Sequence, residues 1–354
     1  MQKIAVIGGG ITGVTTAYAL AQRGLRVTLY EQHRYPAMET SFANGGQLSA
    51  SNGETWTHRS TILKGLKWML HSDAPLLVNP RPSWHKLSWF AEFVASMPRY
   101  RANTVQTARL AIAARQHLFA WAEAEGIDFD LKREGILHIY RDKAGFDHAA
   151  GVSKLLAQAG LPRRAVGPEE MRAIEPTLAG RYYGGFYTDS DSTGDIHKFC
   201  NGLAAAAQRL GVRFVFGQSV RRLTSDGRQA SVVAAGDEGL QTERFDALVV
   251  CAGVGSRALA AQLGDRVRPL VAWVAQCFPG VGTRQVVPWA GLRPMMPDMM
   301  PRVGRGRRAN VFYNTGHGHL GWTLLAATAE LVAGQVLQAG IDVRPRAVGA
   351  AAAA

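Results

Sequence analysis

Cysteine is scarce in this chain: 354 residues hold only Cys200, Cys251 and Cys277. None forms a C-x-x-C pair, which excludes a disulfide scaffold or a zinc finger, and the reduced thiols of a cytoplasmic protein are expected. Lysine is scarce too, with eight against thirty-two arginines. The basic excess gives a formal charge of +13, but the arginines are scattered. Even the densest run, Arg302 to Arg308, is interrupted by Gly304 and Gly306. That pattern excludes a nucleic-acid arm, and small anionic ligands fit it better. Long apolar runs are missing as well. The run Ile4 to Ile7 stops at Gly8, too early for a signal peptide. The apolar C-terminal stretch contains His319, Thr323 and Glu330, so no membrane-spanning helix is expected. The length suffices for about two domains whose cores need no staple, and no metal site is read.

What is present is concentrated at the start. Lys3 to Ile7, including Ile4 and Val6, reads as a buried strand ended by glycine. Gly8, Gly10 and Gly13 then satisfy G-x-G-x-x-G, with Ile11 and Thr12 opening a helix that stops at Gly24. A second strand, Arg26 to Tyr30, ends at Glu31. In this arrangement Gly8 allows the tight turn, Gly10 the approach of a pyrophosphate, and Gly13 the close packing of helix on strand. The helix N-terminus offers N–H groups and positive potential to phosphate, while Glu31 suits ribose hydroxyls and repels a 2′-phosphate. A dinucleotide other than NADP is the expected ligand.

Strand–glycine–helix units recur at Phe245 to Gly255 and at Asn310 to Thr323. Helices are expected over 104–125, 144–160, 168–175 and 195–210, and strands over 135–140 and 212–220. Such alternation predicts an α/β fold, a doubly wound parallel sheet interrupted by inserted segments. The alanine-rich end, 341–354, reads as a disordered tail.

Four blocks carry a resemblance: Gly8 to Gly13 with Glu31, Thr40 to Gln47, Trp289 to Met295, and Gly316 to Thr323. Together they resemble D-amino acid dehydrogenase, the bacterial FAD enzyme of the amino-acid oxidase, glycine oxidase and sarcosine oxidase group, from Lys3 to about Gln338. The resemblance implies FAD as cofactor and a Rossmann-like FAD-binding domain with an inserted α+β substrate domain. The first is expected to comprise 1–60, 144–180, 195–264 and 303–340, and the second 61–143, 181–194 and 265–302.

The resemblance further implies that Ser41, Asn44, Gly45 and Gln47 neighbour the flavin, with Val220 and Gly253 also at the cofactor. Gly316, Gly318, Leu320, Gly321, Trp322 and Thr323 would turn a helix N-terminus toward it, favouring the negative charge of a reduced flavin. Arg293 is implied as the carboxylate clamp, for which a planar guanidinium is suited. His317 and His319 share the glycine turn, and capping or packing competes with contact to flavin or substrate as their role.

The implied reaction is oxidative deamination of a D-amino acid to a 2-oxo acid and ammonia. Hydride would go to flavin N5 and the electrons to a quinone or other acceptor. A glycine or secondary-amine oxidase using oxygen is the first alternative. The second is a catalytically impaired flavoprotein, because a segment of several dozen residues that such proteins carry between the Gly253 turn and Trp289 is absent here. The stretches Ile62 to Leu70 and Trp84 to Phe90 mix lysine, tryptophan and aliphatics. They suit peripheral contact with the inner membrane or packing on the domain.

Overall fold

Five residues, Lys3 to Ile7, set the layering of the molecule. As strand β1 they alternate between two cores. Ile4 and Val6 enter a core built largely with helices, while Ala5 and Ile7 enter a second core on the opposite face. In the computed structural model, residues 2–58, 61–62, 84–178, 180–236, 239–256, 259, 262 and 294–339 are described.

β1 lies inside a six-stranded sheet. On one side it pairs in parallel with β2 (Arg26–Tyr30), which pairs in turn with β8 (Arg213–Val215). On the other it pairs with β12 (Ala247–Val250), then β14 (Val311–Thr315), with β13 (Arg302–Arg305) antiparallel at the edge. β12 repeats the alternation, sending Ala247 and Val249 to the helices and Leu248 and Val250 to the other face. The expected α/β parallel sheet is therefore present, with one antiparallel edge strand.

The helical face carries α1 (Ile11–Gln22), α3 (Tyr100–Glu125), α6 (Ile196–Arg209) and α7 (Gly321–Gln338). By length and composition alone, the stretch Gly318–Gln338 could cross a membrane, contrary to the sequence expectation. Leu325, Ala326, Val332 and Val336 are nevertheless buried against α1 and α3, so the helix serves as a core helix. The opposite face is covered by an antiparallel meander, β9 (Ser219–Ser225), β10 (Ala230–Gly236) and β11 (Gly239–Phe245). The single strand expected over 212–220 divides into β8 and β9 because Gly217, at φ +69°, turns the chain between them.

A smaller antiparallel sheet has the order β4 (Ile136–Tyr140), β6 (Gly184–Thr188), β5 (Arg164–Val166). Residues 144–180, expected with the FAD-binding domain, give their strand β5 to this smaller sheet. Helix α4 (Lys143–Gln158) packs on α3 and helix α5 (Pro168–Ile174) on β6. Conversely α3, expected in the substrate portion, buries Ala114, Leu118 and Trp121 in the main core. The long α3 thus contributes to two clusters, since its Ala108 and Ala111 pack instead with Val152 and Leu156 of α4. Helix α2 (Trp84–Ser96) precedes α3, while 63–83 and the tail 341–354 lie outside the described residues.

Candidate functional site

The glycine turn between β1 and α1 is tight enough to exclude side chains. A Cβ on Gly13 would stand 1.8 Å from the Gly8 carbonyl oxygen, and one on Gly8, at φ +107°, 2.8 Å from the Cys251 carbonyl oxygen. Helix α1 thus begins in direct contact with the end of β1, as a backbone cradle for a pyrophosphate requires. Its first turn carries no acidic side chain that would neutralise the positive end. Ser41 crosses from another loop to accept the Ile11 N–H at 3.0 Å.

Glu31 is buried and held by two backbone amides: Gly9 N–H donates to one carboxylate oxygen at 2.6 Å and His33 N–H to the other at 2.8 Å. Each oxygen keeps acceptor capacity for a ribose hydroxyl. The Gly9 amide is a contribution the motif did not flag, since Gly9 occupies its variable position. Glu31 N–H donates to the Val215 carbonyl, and Gln218 N–H to the Glu31 carbonyl, bringing the start of β9 and Val220 near this end of the sheet. Gly253, at φ +52°, lies in the turn after β12 and accepts from the Thr315 hydroxyl at 3.3 Å.

A second group of residues gathers at the N-terminus of α7. Asn44 Oδ1 accepts the Gly46 N–H at 2.8 Å, closing a turn that leaves Asn44, Gly45 and Gln47 exposed. Gln47 opens the short strand β3 (Gln47–Leu48), paired with β7 (Ser192–Thr193), and its carbonyl accepts from the Thr323 hydroxyl at 3.3 Å. Leu320 is buried and Gly321 begins α7, close to the start expected from the sequence. The Trp322 side chain points into the core between Phe129 and Phe199, so only its backbone is available to a ligand.

Gly316 and Gly318 have φ of +79° and +58°. Their substituted Cβ atoms would meet Met296 Cγ at 2.8 Å and Met295 Sδ at 2.9 Å. The glycines therefore receive the chain that follows Arg293. Gly318 N–H donates to the Pro294 carbonyl at 2.9 Å, Trp89 to the Met295 carbonyl at 3.3 Å, and Asn103 to the Asp298 carbonyl at 3.1 Å. Arg293 itself lies outside the described residues.

The two histidines of this turn separate. His317 is buried and its Nε2 lies 2.9 Å from the Thr328 hydroxyl. Because Thr328 donates its proton to the Leu325 carbonyl, His317 Nε2–H is the donor to Thr328. Burial pushes the His317 pKa down to about 4, so the ring is neutral and acts as a brace within the turn. His319 is half-buried and stacks on Trp56, with ring centroids 4.6 Å apart.

Sequence reasoning missed Trp56, half of which is exposed, because no local pattern links it to His319. It also missed a relay in which His138 Nε2 meets Asn52 Oδ1 at 2.9 Å, and Asn52 Nδ2 donates to Gln47 Oε1 at 3.0 Å. The amide roles leave the Gln47 NH₂ as the outward donor.

The glycine cradle, the fixed Glu31 and the α7 N-terminus fit an extended dinucleotide. Comparisons with known proteins agree with that fit. Residues 3–272 and 264–335 match the family described as FAD dependent oxidoreductase, DAO. D-amino acid dehydrogenase 3 of Mesorhizobium japonicum is 51% identical over 398 aligned positions, covering 94% of this chain and 96% of the relative. The D-amino acid dehydrogenase of Paramagnetospirillum magneticum is 33% identical, with 94% of each chain covered. Among solved structures, L-proline dehydrogenase from P. horikoshii superposes with a TM-score of 0.68 at 16% identity, over 95% of this chain and 93% of that one. The 398 positions exceed the chain's 354 residues, so the first relative has residues without counterparts here. The family match breaks and restarts between 264 and 272, within the stretch where the sequence lacks a segment. The chain belongs to the FAD dependent oxidoreductase (DAO) family and is an FAD-dependent oxidoreductase acting on amino acids.

Proposed function

We propose that the chain is a D-amino acid dehydrogenase, oxidising a D-amino acid to its imino acid, which water hydrolyses to a 2-oxo acid and ammonia. The observation that carries this reading is the 51% identity to a D-amino acid dehydrogenase across nearly the whole of both chains. Bound FAD supplies a hydride acceptor at N5. Gly8, Gly10 and Gly13 hold its pyrophosphate against the α1 N-terminus, and Glu31 holds its ribose. The first turn of α7 lends positive potential to the charge that accompanies reduction. Arg293 binds the substrate carboxylate through a bidentate guanidinium. His319 stacked on Trp56 forms a wall that limits water near the start of α7. Orientation and electrostatics provide the rate, so no dedicated general base is assigned.

The electrons pass to a quinone-type acceptor, with the protein on the cytoplasmic side and in peripheral contact with the membrane. Support comes from α2, where Trp84, Leu87, Phe90 and Val94 form an exposed apolar stripe, with 83% of Trp84 accessible. Trp89 and Phe93, on the other face, stack on one another at 5.4 Å and dock toward Met295.

The test is anaerobic. FAD-loaded protein is expected to lose its flavin absorbance on adding D-alanine but not L-alanine, and a soluble quinone should restore it faster than air. Peroxide formed in stoichiometric amounts during turnover in air favours an oxygen-using oxidase. Retained FAD that no D-amino acid bleaches overturns the catalytic reading. That outcome points instead to an impaired flavoprotein, the reading favoured by the break in the family match.

A further inference from the structure

The segment that carries Trp56 supplies two donors of a type suited to a transition metal, and helix α4 supplies a third. Glu54, His58 and His148 each offer one ligand atom, and all three atoms lie within 4.8 Å of one another. His148 Nε2 is 2.9 Å from Glu54 Oε1, and His58 Nε2 is 3.7 Å from the same oxygen. Donors on a tetrahedral zinc at about 2.0–2.1 Å stand about 3.3 Å apart, so these two separations bracket the edge a metal would impose. Two imidazoles and one carboxylate form a borderline-soft set that favours zinc, cobalt or nickel over calcium or magnesium.

The surroundings suit such a site. Tyr100, the first residue of α3, donates its hydroxyl to Glu54 Oε1 at 2.6 Å, which fixes the carboxylate and leaves that oxygen a second lone pair for a metal. The His58 ring packs against Tyr100 at 5.2 Å and against His148 at 5.3 Å. The His148 side chain is 45% exposed, which opens a path for an ion and a water as fourth ligand. Close to this segment, Thr55 N–H donates to the Thr104 hydroxyl of α3 at 3.2 Å, so the backbone is already registered against that helix.

We propose that Glu54, His58 and His148 form a divalent transition-metal site, occupied by zinc or a similar ion, that fastens the Trp56 segment to α4. His58 and Glu54 come from the segment itself and His148 from α4, so a bound ion joins elements about ninety positions apart in sequence. The reading is independent of which substrate the protein oxidises.

Equilibrium dialysis of the FAD-loaded full chain against micromolar zinc, followed by metal analysis, tests it. One zinc per chain is expected. His148→Ala and His58→Gln should each weaken binding about tenfold or more, while Tyr100→Phe, which removes only an outer partner, should weaken it less than either. Cobalt in place of zinc should give the intense visible absorption of a tetrahedral site, lost in His148→Ala. Flavin content of each variant reports whether the fold is intact, and His148→Gln replaces any variant that loses FAD. Absence of stoichiometric zinc, or binding unchanged in the histidine variants, would overturn the proposal and leave the cluster as a hydrogen-bond network around Glu54.

Discussion

A neutral imidazole inside a protein makes stability depend on pH. His317 is buried, donates to Thr328 and has its pKa lowered by burial to about 4, against an ordinary value of 6.5. Between those two values the unfolded chain binds the proton and the folded chain does not, so stability rises with pH. The contribution is fully present above about pH 6.5 and is lost as pH falls toward 4, a change of about 3 kcal/mol. His138, lowered to about 4 by burial and then by Arg163, acts in the same direction. The comparison is therefore made against His317→Gln. Urea melts of wild type at pH 7 and pH 5 should differ more than those of the variant, and equal differences would show that His317 does not carry the effect. From sequence, His317 and His319 were equivalent members of one glycine turn. Their separation into a buried brace and a stacked wall depends on Thr328, one helix away, and on Trp56, far upstream. Neither contact has a periodic signature.

Elements were more legible than contacts. β1 from Ile4 onward and β12 were readable because their residues, covered on both faces, are all apolar, and the glycine turn because pyrophosphate geometry constrains its spacing. The meander β9–β11 was not foreseen, since its exposed residues dilute the alternation and only Ala230, Val232 and Ala234 mark the buried side of β10. Helix α2 was foreseen in composition, and its two faces emerged only in the fold. If the stripe of Trp84, Leu87, Phe90 and Val94 meets lipid, the full chain should co-sediment with vesicles containing anionic phospholipid. Leu87→Glu should reduce the bound fraction several-fold while leaving flavin content unchanged, because Leu87 is exposed. Equal sedimentation of the two proteins would remove α2 as the membrane contact.

At the scale of the whole molecule, one buried carboxylate joins the flavin side to the smaller sheet. Asp191 lies in the connection between β6 and β7. It accepts from Ser49 Oγ at 3.0 Å, Ser51 Oγ at 2.5 Å, Ala50 N–H at 3.1 Å, Ser51 N–H at 3.2 Å and Arg115 at 3.1 Å. Burial lowers the Arg115 pKa and Asp191 opposes that shift, as expected of a charge that needs its partner. Asp191→Ala should destabilise the protein by about 3–5 kcal/mol in a denaturant melt, since it leaves Arg115 and two hydroxyls without their acceptor. A loss below about 1 kcal/mol would mean that water replaces the carboxylate. The sequence did not single out Asp191, because an aspartate in a turn is ordinary until its five donors are assembled around it.

The order of strands in the large sheet also bears on how the protein is made. β1 is synthesised long before one of its two neighbours, β12, and β12 in turn needs β14 at Val311–Thr315. Helix α7, which covers α1, follows later still. A nascent chain therefore carries its cofactor motif unclosed until β12, β14 and α7 have been made. Chains terminated before β14 would contain the complete fingerprint yet lack the strands that close it.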